Sequence, residues 1–147
     1  MSNTIYVQPW KMETIDFSVH DEAQTHGLEQ CIAIATRKGD KGTLAHLTLK
    51  NNLREYFQWL VNNAERDSEL YLAGGRPVES QSYIRKVIEC VKKIGYDLTA
   101  HETMKDNISG CDLMMRQSGP IALQYYRRFG SPSGEKKLPV SISMLGR

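Results

Sequence analysis

The sequence predicts one mixed α/β domain in which two helices from the middle of the chain cover strands supplied by both ends. Three observations carry the prediction. The chain has 147 residues, the size of a single domain able to bury roughly 70% of its unfolded surface in one core. Hydrophobic residues make up 40% and charged residues 24%, the balance of an ordinary soluble globular protein. β-branched and aromatic runs come first, two helical patterns follow, and strand-like runs return at the end.

In order along the chain, residues 4 to 8 and 15 to 19 read as short strands, with Pro9 closing the first. Residues 31 to 36 and 43 to 49 form the next pair, joined by the charged, glycine-containing connection "RKGDKG", which reads as an antiparallel hairpin. "NNLREYFQWLVNNAER" is a helix pattern with Asn51 or Asn52 as its N-cap, and Leu53, Phe57, Leu60, Val61 and Ala64 at helical spacing. The strand "ELYLAG" ends at Gly74 and Gly75, read as a turn with close backbone approach, since no phosphate-binding pattern surrounds them. "SQSYIRKVIECVKKIG" places Ile84, Val87, Ile88, Val91 and Ile94 on one helix face, with Lys92 and Lys93 in the last turn and Gly95 as the stop. Strands return at "YDLTAHE", "CDLMMRQ" and "IALQYYRRF". Residues 1–127 are expected as the single domain. Residues 128–147 are expected as a basic C-terminal tail packed on it or extending from it.

Composition narrows the function. A formal net charge of +2 with interspersed signs offers no basic stripe for a phosphate backbone, so nucleic acid is not an expected partner. No apolar run approaches the roughly 20 residues that span a bilayer. "MSNTIYVQPWKMETIDFSVH" lacks the basic and long apolar segments of a secretory signal, and the expected location is the cytoplasm, or a host cell after injection as an effector. Cys31, Cys90 and Cys111 are odd in number, widely spaced and without CxxC, which argues against a disulfide framework and a zinc site. Cys90 lies near the apolar stripe of its helix and Cys111 heads a strand; both are read as packing residues.

Cys31 and His46 need a separate account. A symmetric four-residue turn at Arg37 to Asp40 sets Thr36 opposite Lys41 and Cys31 opposite His46, with Cβ atoms about 4.5–5.5 Å apart. Alternation then assigns Ile32, Ile34, Ala45, Leu47 and Leu49 to one face and Cys31, Ala33, Ala35, Leu44 and His46 to the other. An odd-length loop breaks this register. Either residue taken alone is also an ordinary buried strand residue. His26 is a rival base, close to Cys31 in sequence but in an expected loop, whereas His20 and His101 are read as surface or structural.

Thr25, Gly27, Leu28, Cys31 and His46 are where the chain resembles a known family. "THGLEQC" and "GTLAHLTLK" resemble the T-x-x-L-G-S-C-like and G-x-x-H-x-x-L-P-like elements of the chemoreceptor glutamine deamidases, CheD. "YLAGGRPV", "QSYIRKVIECVKKIGYDLTAHE" and "DNISGCDLMMRQSGPI" resemble that family's later segments, so the resemblance runs in order over roughly residues 20–125. The same cysteine, histidine and upstream orienting residue recur in deamidating toxins of the cytotoxic necrotizing factor type. Two positions depart from the pattern: Glu29-Gln30 replaces Gly-Ser, and Lys50 replaces proline. The resemblance implies a mixed β-sandwich of largely antiparallel strands flanked by the two main helices. It also implies a deamidase that hydrolyses a glutamine side chain of a protein substrate, with no metal or organic cofactor.

A glutamine carboxamide is unactivated, so its hydrolysis needs a strong nucleophile, a proton for departing ammonia and a bound oxyanion. In the implied roles Cys31 is the nucleophile, lowered in pKa by an adjacent imidazolium, and His46 is general base and acid. Thr25 orients the imidazole through its hydroxyl or its backbone carbonyl. Leu28, Glu29 and Gln30 form the site mouth, with the N–H groups of Cys31 and a neighbour such as Gln30 as oxyanion donors. A Cys/His acyl transferase or protease and a catalytically silent binding module are the rival classes.

Overall fold

The computed structural model describes residues 3–129 and 136–146. Among them ten strands and two helices form three layers. One five-stranded sheet has the order β1 (Thr4–Tyr6), β3 (Glu22–Leu28), β8 (Gly110–Arg116), β9 (Ile121–Phe129), β10 (Lys136–Leu145). The other has the order β2 (Met12–Asp16), β5 (Lys41–Leu47), β4 (Ile32–Lys38), β6 (Glu69–Gly74), β7 (Ala100–Glu102). All pairings are antiparallel except β1 with β3 and β6 with β7. The mixed sandwich with helices on one side is therefore the observed architecture.

Alternation explains the layers. Ala23, Leu113, Met115 and Leu123 of the first sheet meet Ala33, Ala35, Leu44 and Ala73 of the second in the core between the sheets. The opposite face of the second sheet, with Ile32, Ile34, Ala45 and Leu47, packs under α1 (Leu53–Asn63) and α2 (Gln81–Lys93) in a second core. A strand pair buried on both faces must be apolar on both, and β4 is buried from Ile32 to Arg37. α1 starts where Asn52 accepts from the Glu55 N–H at 3.2 Å and buries Tyr56, Phe57 and Leu60. α2 buries Ile84, Val87 and Val91, and ends with Lys92 and Lys93 against its carbonyl pole and Gly95 at φ +98°.

The structure corrects the sequence reading at three places. The β4–β5 hairpin turns on Gly39 and Asp40 alone, with Lys38 opposite Lys41 and Ala33 opposite His46. Gly39 at φ +61° supplies the positive dihedral that such a two-residue turn requires at its first position. The second strand is Met12–Asp16 and not 15 to 19, because Asp16 closes a turn by accepting from the Ser18 N–H and hydroxyl. His26, expected in a loop, lies on a strand, Glu22–Leu28. Separately from these corrections, the stretch expected as a C-terminal tail holds β10, paired along β9, and its residues 130–135 and 147 lie outside the described residues.

Candidate active site

Thr25 of β3 and His46 of β5 belong to different sheets and meet across the core, each 1% exposed. The Thr25 hydroxyl lies 2.7 Å from the Val7 carbonyl and 2.7 Å from His46 Nδ1. A carbonyl only accepts, so the single hydroxyl proton goes to Val7 and Nδ1 must donate to Thr25. The network thus assigns the proton to Nδ1 and leaves a lone pair on Nε2. That nitrogen is buried with no hydrogen-bond partner among the described residues. Of the two means expected for Thr25 to orient the ring, the hydroxyl is the one in place.

Cys31 lies just before β4, half-buried against the core between the sheets. The expected direct opposition to His46 is replaced by a diagonal one, since Ala33 faces His46 and Cys31 lies two residues further along the same face. A shift of two residues keeps every side chain on its expected face, but diagonal neighbours are about 7–8 Å apart, and the Cys31 thiol is not a hydrogen-bond partner of His46 Nε2. The loop before Cys31 is anchored at two points. Ser80 Oγ, at the start of α2, donates to the Gln30 carbonyl at 3.2 Å. The Cys31 carbonyl rests on Gly74, where a Cβ would lie 2.8 Å from it. In a planar trans peptide the Cys31 N–H points opposite to the Gln30 carbonyl, and so away from α2.

The electrostatics favour a neutral resting pair. Burial draws His46 down to about 4. Burial first, and then the negative charge of Glu29, push the Cys31 thiol above its ordinary value. The expected thiolate and imidazolium are therefore not the resting state. Burial alone pushes Glu29 up, but hydrogen bonds and charge from Arg128 at 2.9 Å and Lys137 at 3.4 Å outweigh it and hold the carboxyl below its ordinary value. Tyr83 of α2 has a buried hydroxyl without a partner among the described residues, and burial, then the neighbouring thiol, push it up to about 12.

The remaining expected residues divide clearly. Glu29 and Gln30 are at the surface beside Cys31, whereas Leu28 is fully buried and has only its peptide to offer a ligand. His26, the rival base, points to the open face of its sheet, bonded to Gln24 and edge-on to Tyr6, because it is one residue from buried Thr25 on a strand. Cys111 is buried in the core and Cys90 half-buried on α2. Sequence reasoning missed Val7, Ser80, Arg128 and Lys137, which hold Thr25, the Gln30 carbonyl and Glu29. Their separations from those partners, such as 18, 50 and 99 residues, follow no local spacing rule. Among the described residues no three His, Cys, Asp or Glu side chains converge to hold a metal ion. No helix among them is long and apolar enough to cross a membrane. The chain matches no protein-family model and no curated protein sequence.

Proposed function

We propose that the protein is a cysteine-dependent amidohydrolase that deamidates a glutamine side chain of a protein substrate. One observation supports this reading above the others: the Thr25 to His46 hydrogen bond between the sheets leaves the Nε2 lone pair on the face that carries Cys31. An imidazole held in this tautomer is a base in waiting. The half-buried thiol is the group open to a carboxamide, and the buried imidazole lies on the same face of the hairpin.

With both groups neutral at rest, the thiol loses its proton to Nε2 as sulfur attacks the carboxamide carbon, so no stored ion pair is needed. The oxyanion is met by the Cys31 N–H, which points away from α2, and a neighbouring peptide N–H. The C–N bond then breaks, the His46 proton leaves with ammonia, and a thioester joins Cys31 to the substrate. Water, deprotonated by Nε2, cleaves the thioester to glutamate and restores the thiol. The reaction consumes one water and releases one ammonia.

One observation favours a second reading. Both candidate groups are shifted toward their neutral forms, which also suits a catalytically silent module that keeps the fold to bind a partner. Intact mass and peptide mapping of candidate substrate proteins separates the two. The expected result is a gain of about one dalton at a glutamine, dependent on Cys31 as thioester-forming nucleophile and lost in Cys31→Ser. Identical maps from wild type and Cys31→Ser would leave the silent module standing.

A further inference from the structure

Away from the seam between the sheets, the outer layer carries an open trough of about 810 Å³ between α1 and α2. Leu53 and Phe57 of α1 and Tyr83 of α2 form an apolar floor, and exposed Leu49 stands at one end. The rim is cationic, with Arg54 on α1 and Lys86 and Lys93 on α2. No Asp or Glu is among the described residues that line it. These three cations are exposed and form no ion pair among the described residues, unlike Lys38 and Lys41, which are paired with carboxylates. Arg66 adds a fourth charge near the far end, fixed by donating to the Ile94 carbonyl at 2.7 Å and by lying over the Tyr96 ring.

The two helices run in the same direction. β5 ends at Leu47 and β6 at Gly74, and both residues pair with Ile32, so α1 and α2 start from the same end of the sheet. Their 11 and 13 residues therefore flank a trough about 16–20 Å long.

We infer that this trough docks an acidic amphipathic helix of a partner protein. A helix laid between two helices presents an i, i+3, i+7 apolar stripe to the floor, while its flanking carboxylates meet the cations on either side. Lys86 and Lys93 are two turns apart on one wall, so partner carboxylates spaced by seven residues match them. The floor lies recessed beneath the cations, with Phe57 only 6% exposed, where a flat bilayer surface does not reach. A phosphodiester backbone has no use for an apolar floor. The inference does not depend on the chemistry of Cys31.

The test uses the full chain and a synthetic helical peptide of about 16 residues, long enough to fill the trough, with leucines at i, i+3, i+7 and glutamates beside them. A twin carries lysine for glutamate. Anisotropy titration is expected to show binding of the acidic peptide that weakens as ionic strength rises, and slower iodoacetamide labelling of Cys90, which lines the trough. Arg54→Glu with Lys86→Glu is expected to weaken the acidic peptide about tenfold or more and to bind the lysine twin instead. Leu49→Asp, at an exposed position, gives a second weakening if the double variant does not fold. Cys31→Ser is expected to bind as wild type does, which separates failure here from failure of the deamidase proposal. Equal binding of both peptides, an unchanged affinity in the folded charge-reversed variant, or stronger binding to phosphatidylserine vesicles than to the peptide overturns the inference.

Discussion

Thr25→Val removes one oxygen atom and keeps the shape of the side chain, which makes it a sharp test of the proposed site. The hydroxyl makes two buried hydrogen bonds of 2.7 Å, one to Val7 and one from His46. Without it the Val7 carbonyl and the Nδ1–H both lose their partner, and each orphaned buried group costs about 1–3 kcal/mol, or roughly 2–6 kcal/mol together. Nothing then holds the ring proton on Nδ1, and its transfer to Nε2, which is also buried without a partner among the described residues, leaves as many groups orphaned as before but occupies the lone pair on which the proposed chemistry relies. The rate is therefore expected to fall about 10²–10⁴-fold even in protein that remains folded. Urea denaturation gives the first quantity, and the rate of mass gain on a substrate protein gives the second. Thr25→Ser keeps the oxygen and is expected to recover most of the rate. A folded Thr25→Val protein with wild-type turnover, or a serine variant as slow as the valine one, refutes the reasoning.

The pH dependence of stability is also specified. His46 is held at about 4 in the folded chain, against an ordinary 6.5, so between these values the unfolded chain binds the extra proton. Stability from this group is complete above about pH 6.5 and is lost as pH falls toward 4, with a ceiling of about 3 kcal/mol. Urea midpoints measured in parallel for wild type and His46→Gln are expected to converge as the pH drops through this window; a constant difference rules the assignment out. Gly74→Ala places a Cβ 2.8 Å from the Cys31 carbonyl at a residue with φ +94°. It is expected to cost about 1–3 kcal/mol and to lower the rate by displacing the thiol, with thermal melts and turnover as the checks.

How much of this was legible in the sequence depends on the physics behind each feature. Face assignment in the hairpin followed from alternation and survived an error in register, because the shift was by two residues and not one. The register itself was readable in Gly39-Asp40, a two-residue turn signal that lost out to centring the loop on the longer charged run. β3 was missed for a different reason. Its outward residues, Gln24 and His26, are polar because that sheet face carries no helix, and a shift in pairing at Gly27 breaks the alternation. Thr25 beside His46 was anticipated from the family resemblance, but the Val7 carbonyl that decides the tautomer comes from a crossing between sheets that no spacing rule encodes. The neutral resting state depends on burial, which a linear reading of Cys31 and His46 does not provide.

The chain passes from one sheet to the other three times at the same end, through residues 7–11, 29–31 and 103–109, and the orienting hydroxyl and the ring it orients stand on opposite layers. The seam is therefore also a caliper: widening the layers by about an ångström takes the Thr25 hydroxyl out of hydrogen-bond range of Nδ1 and, on the proposed reading, idles the ring.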